Sequence, residues 1–115
     1  MTTRGDLAQA LTDTGVVRVY PTYRQSMRPG DGCIRWAGGV RDSSGLGVMD
    51  TWQAWIALPQ DVAAAELWIG DHLNDLIEAI ETEATFTEAT PSELVLGHNS
   101  INGLIIEAVR AQESE

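Results

Sequence analysis

The chain has 115 residues, 43% of them hydrophobic, which fits one domain with one core, near the usual domain size of roughly 100 to 150 residues. It contains no lysine, which excludes a phosphate-loop lysine, a Schiff base and a Ser-Lys nucleophile, and its net charge of −10 excludes free nucleic-acid binding, which needs clustered cations. The lone Cys33 excludes an internal disulfide and reads as a small buried hydrophobe rather than a reactive thiol.

Thr3 stands three residues before Asp6, the spacing of a capping pair, and predicts the start of a first helix. Leu7, Ala8 and Leu11 form its narrow apolar stripe, and Gly15 after Thr14 ends it. Val16 to Tyr20 is β-branched and aromatic, hence a strand, stopped by Pro21, which has no ladder donor. Pro21 to Asp31 holds two prolines, two arginines and a Pro-Gly-Asp turn and reads as an exposed loop, followed by a short strand from Gly32 to Ala37. Gly38 to Gly47, rich in Gly and Ser, predicts a mobile connection between two antiparallel strands. Leu46 to Leu58 is the strongest strand pattern, with Trp52, Ala54, Ile56 and Leu58 on one face and Thr51, Gln53, Trp55 and Ala57 on the other. Trp55 implies that the second face is covered in part.

Pro59 stops this strand, and Asp61 is placed to cap a second helix. Its stripe is Val62, Ala65, Ile69, Leu73, Leu76, Ile77 and Ile80, advancing by threes and fours apart from one adjacent pair. The C-terminal third predicts strands at Ala84 to Ala89, Glu93 to Leu96 and Ile101 to Val109, with turns at Thr90-Pro91 and Gly97 to Ser100 and a frayed tail from Gln112 to Glu115. Strands joined mainly by turns predict the α+β class: a mainly antiparallel sheet with one long amphipathic helix and a short N-terminal helix packed on it. No segment reaches the roughly 18 apolar residues of a membrane span, and Met1 to Leu11 lacks a signal-peptide core, so a soluble, cytosolic chain is expected.

Groups that carry chemistry are sparse. His72 and His98 are 26 residues apart and in no His-Glu-x-x-His or Cys-x-x-Cys context, so no metal site, cofactor or catalytic set is expected. His72, on the flank of the long helix, reads as a boundary residue. Gly38, Gly39, Gly45 and Gly47 join strand to strand and lack the helix N-terminus of a phosphate cradle. An enzyme would need a pocket holding a perturbed carboxylate, Cys33 or His72.

On the long helix Asp71, Asp75, Glu78 and Glu81 fall at spacings of four, three and three and share an outer face with Asn74, where like charges repel by a few tenths of a kcal/mol per pair. This face either maintains solubility or presents negative charge to something that must not stick. The four tryptophans, Trp36, Trp52, Trp55 and Trp68, exceed what so small a core holds without strain, so some belong at a subunit contact. Trp68 sits at the margin of the helical stripe. Leu67 points away from the stripe, as a scattered surface residue or as part of an interface. The first 41 residues carry six arginines against three carboxylates, a net of +3, whereas Asp42 to Glu115 sets Arg110 alone against fourteen, a net of −13. That division suits an oriented building block better than a catalyst.

The run Asp50-Thr51-Trp52-Gln53-Ala54-Trp55-Ile56-Ala57-Leu58-Pro59-Gln60-Asp61, leading into Ala63-Ala64-Ala65-Glu66-Leu67-Trp68-Ile69, resembles the strand-to-helix centre of tail terminator proteins from long-tailed phages of actinobacteria. So do the Arg28-Pro29-Gly30-Asp31 loop with its Trp36 strand and the closing Pro91-Ser92-Glu93-Leu94-Val95-Leu96 segment. The resemblance covers nearly the whole chain. It implies a small α+β subunit of a hexameric ring that caps the completed tail tube, stops its polymerisation and joins the tail to the head. The partners so implied are other copies of the chain, the major tail tube protein and a head-to-tail connector or stopper protein. The place implied is the tail-neck junction of the virion, after assembly in the host cytoplasm, with no cofactor and no membrane. DNA would pass such a ring without specific binding. Asp71, Asp75, Glu78 and Glu81 are then candidates for the lumen, and Arg24, Arg28, Trp36, Arg41, Trp52, Leu67 and Trp68 for interfaces. Two alternatives stay open: another connector or neck protein of the same virion, and a monomeric acidic binding or inhibitor module that imitates DNA charge.

Overall fold

Residues 2–41, 45 and 47–112 are described in the computed structural model, which is α+β. The first helix, α1 (Thr3–Thr12), leads into β1 (Arg18–Tyr20), β2 (Asp31–Arg41) and β3 (Val48–Ala57). The long helix α2 (Val62–Glu81) follows, and β4 (Thr85–Leu96) and β5 (Asn99–Ala111) close the chain. The strands form one sheet in the order β1-β2-β3-β5-β4, antiparallel except where β1 runs parallel to β2.

Thr2, one residue before the expected cap, starts α1: its Oγ1 accepts from the Gly5 N–H at 3.0 Å. Asp6 therefore makes no capping pair and turns instead to Arg110 of β5, 3.3 Å away. Leu7, Ala8 and Leu11 are buried as their spacing predicts, and Gly15 has the positive φ, 78°, that a left-handed stop requires. For α2, Asp61 accepts from the Ala64 N–H at 2.9 Å, as expected of an N-cap. Ala65, Leu76 and Ile80 are buried, while Ile69, Leu73 and Ile77 are partly buried. Val62 departs from the expected stripe and is 65% exposed, at the rim of an open groove between the first turn of α2 and β4.

Both helices cover one face of the sheet. Ile34, Ala54, Ile56, Leu104, Ile106 and Ala108 point at them from the three central strands and make the core with Leu7, Leu11, Leu76 and Ile80. The β3 faces are as the alternation predicts, with Trp55 on the far side opposite Cys33.

Several boundaries differ from expectation: β1 begins at Arg18 and not at Val16, and β5 runs from Asn99, inside the expected turn, to Ala111. β2 continues past Ala37 to Arg41 through a bulge between Trp36 and Gly38, where Gly38 takes φ 135°, so four residues of the expected loop are strand. Residues 42–44 and 46, including the expected start of β3 at Leu46, lie outside the described residues, as do 113–115 of the expected tail. Gln112 is held, its N–H donating to Val48 O at 2.7 Å. The expected turn at Thr90-Pro91 does not exist: β4 runs through it, with Pro91 opposite Leu104. A proline is tolerated there because β4 is an edge strand and its missing donor points away from β5.

Candidate interaction surface

The Pro21 to Gly30 connection has to return the chain to the start of β2, because β1 and β2 are parallel. It does so as a strap across the face of the sheet that the helices leave bare. Tyr23 Oη accepts from the Gly97 N–H at 2.9 Å and lies 3.5 Å from Val95 O, and Gln25 lies against Gly97, so the strap is fastened to the β4–β5 turn 74 residues away. Arg35 of β2 stacks between the rings of Tyr23 and Trp55, 4.6 Å from each centroid. Beneath the strap Cys33, Ala57 and Leu94 are fully buried, and Leu96 nearly so. The cover that Trp55 implied is thus supplied by the loop itself.

Burial pushes the Cys33 thiol above its ordinary range, opposed by a hydrogen bond with the Arg24 backbone and by the charges of Arg35, Arg24 and Arg4. The result is a protonated, covered thiol, the inert kind expected from sequence.

The candidate residues fall in four places. Arg24 and Arg28 are exposed on the strap, Arg24 with its guanidinium 4.2 Å over the Tyr20 ring, and the Arg28 N–H donating to Asp31 Oδ2 at 3.1 Å. Trp36 is 55% exposed beside the β2 bulge, steadied by its Nε1–H donating to Asp50 Oδ1 at 3.1 Å. Trp52 neighbours it from β3, half-buried under Arg4, with its Nε1–H buried and unpartnered. Arg41 ends β2, exposed, and donates to Gly45 O at 3.3 Å. The structure therefore brings Trp36 and Trp52 together and leaves Arg24 and Arg28 apart from them. Asp50, the buried carboxylate that anchors Trp36, the strap residue Tyr23 and Arg35 of β2 carry no signal in sequence beyond their residue type.

Leu67, 71% exposed, and Trp68, partly buried against the core, lie on α2, where the Trp68 and His72 rings meet at a tilt of 58° with centroids 5.0 Å apart. Further along α2, Asp71, Asp75, Glu78 and Glu81 are all exposed, as their spacing predicts. The outer side of α2 is thus apolar near its start and acidic towards its end. Between that apolar start and β4 runs a groove of about 200 Å³ lined by Leu58, Val62, Ala65, Ile69, Pro91 and Gly103.

Arg110 bonds Asp6 at 3.3 Å and Glu83 at 3.7 Å, clipping β5 to α1 and to the turn after α2. Among the described residues no group of three or more His, Cys, Asp and Glu is arranged to hold a metal ion. Among the described residues no helix is long and apolar enough to cross a membrane. What the arrangement offers chemically is two differently charged sheet edges, exposed aromatics and one apolar groove. No protein-family model matches the chain, and no curated protein matches it.

Proposed function

We propose that this protein is a structural subunit of a ring at the head-proximal end of a phage tail tube, ending tube growth and joining the tail to the head connector. The sequence resemblance points to that role, and one structural observation supports it. The two edge strands differ in charge: β1 carries Arg18, whereas β4, at the other edge, carries Glu88 and Glu93. Head-to-tail contacts that close into a ring join two different faces of one subunit, and opposite charges on those faces set their direction. The acidic row on α2 is assigned to the channel, where carboxylates repel passing DNA instead of holding it.

Electron microscopy of the purified protein, alone and with tail tubes, tests this reading. Rings seated on tube ends support it; solitary particles beside tubes that keep growing overturn it. Capped tubes also separate a terminator from another neck protein, which would leave tube ends free. Assembly followed by light scattering should weaken as salt rises, and a ring indifferent to salt removes charge as the organiser. A channel lined by the arginines would remove the assignment of the acidic row.

A further inference from the structure

The two edges of the sheet are finished differently. At β1 the backbone groups that point away from β2 belong to Val19, and the Thr12 hydroxyl takes both: Val19 N–H donates to Thr12 Oγ1 at 3.0 Å, and that hydroxyl donates to Val19 O at 3.3 Å. This edge is closed. At β4 the edge is twelve residues long, and its only bond from outside the β4–β5 ladder, among the described residues, is the Tyr23 hydroxyl at Val95 O. Pro91 sets the phase, since its nitrogen must face outwards; Ala89 and Glu93, two residues to either side, then present free N–H and C=O groups, and Val95 O shares that direction.

The chemistry beside this edge is specific. Ala89, Pro91 and Glu93 lie on the helix face, next to the apolar groove lined by Val62, Ala65 and Ile69 and flanked by Glu66. On the other face Glu88 stands directly opposite Glu107 of β5, a like-charge pair that costs stability and that no described cation bridges. A parallel, in-register pair with a second β4 would set Glu88 and Glu93 against their own copies, so charge opposes that arrangement while leaving the backbone groups available.

We infer that β4 is a docking edge for an extended segment of another protein in which basic and apolar residues alternate. Such a segment adds a sixth strand, places its apolar side chains in the groove under α2 and sets its arginines or lysines beside Glu88 and Glu107. The inference rests on the sheet alone and does not require the ring. A protein that binds the strand yet leaves tail tubes uncapped loses the ring reading and keeps this one.

The test is a titration of the isotope-labelled full chain with a blocked octapeptide alternating arginine and valine, followed by amide NMR. The expected result is saturable binding, shifts centred on Thr85 to Leu94, slowed amide exchange at Ala89 and Glu93, and affinity roughly tenfold weaker in Glu88→Lys at a melting temperature equal to or above that of the wild type, since the lysine faces Glu107. Glu88→Gln should fall between the two. No binding, equal binding of a glutamate-valine octapeptide, or unchanged affinity in Glu88→Lys overturns the inference. So do shifts confined to Asp71 to Glu81, which report diffuse charge attraction, or a free protein already paired through β4.

Discussion

The strap offers a quantitative test of how the second sheet face is held shut. Tyr23→Ala removes the 2.9 Å hydrogen bond from Gly97 and one of the two rings stacked on Arg35. An exposed hydrogen bond contributes about 1 kcal/mol and an exposed cation–π contact about 0.5 to 1, so the strap should loosen by roughly 1.5 to 2 kcal/mol, and the fraction of molecules with it open should rise by roughly 10- to 30-fold. Cys33 reports that opening, because it is fully buried on the face that the strap covers. Under native conditions its modification by an aromatic disulfide reagent tracks the open population. Tyr23→Phe keeps the ring and loses only the hydroxyl, so its rate should rise by about fivefold. If both variants label at the wild-type rate, the strap is not what covers Cys33 and the account of this face is wrong. Acceleration that merely follows a fall in global stability, measured by urea unfolding, would refute it equally.

Three further outcomes follow from particular contacts. In Gly103→Ala the new Cβ would overlap Cγ and Cδ1 of the fully buried Leu94 and sit 3.0 Å from Ile56 O, so unfolding should be easier by about 1 to 3 kcal/mol in a denaturant titration. Because burial raises the Cys33 pKa in the folded state, the folded chain keeps its thiol proton to higher pH than the unfolded chain. Stability should be unaffected by this group well below its ordinary value of 9.0, should decline as pH rises beyond it, and should decline less in Cys33→Ala. Glu78→Arg places a cation three residues from both Asp75 and Glu81 on an exposed face, and thermal melting should show a gain of about 0.5 kcal/mol; a loss would mean that the face is not free in solution.

Local rules carried far where local interactions decide. The α2 stripe and its Asp61 cap were legible because a helix is made by residues three and four apart, and the β3 faces because pleating repeats every two. They failed at ends and edges. Thr2 rather than Thr3 caps α1, since Asp6 answers to Arg110, 104 residues away. Pro91 ends a strand only if that strand is interior, and position in the sheet is not a local property. The exposure of the candidate residues was mostly readable: the carboxylates of α2, Leu67 and the strap arginines are solvent-facing as their spacing implies. Their grouping was not, because Asp50 meets Trp36 only through the β2–β3 register.

By itself the sequence determined the class of fold, the buried thiol, the acidic helix face and the imbalance of charge along the chain. These follow from composition and from periodicities a few residues long. Only the tertiary structure decided that β1 is parallel, that the loop after it is a strap, that one sheet edge is closed by Thr12 and the other open, and that Arg18 and the β4 glutamates lie on opposite edge strands. Each of those depends on pairing between residues distant in the chain, and pairing is chosen by the burial and hydrogen bonding of the whole sheet together.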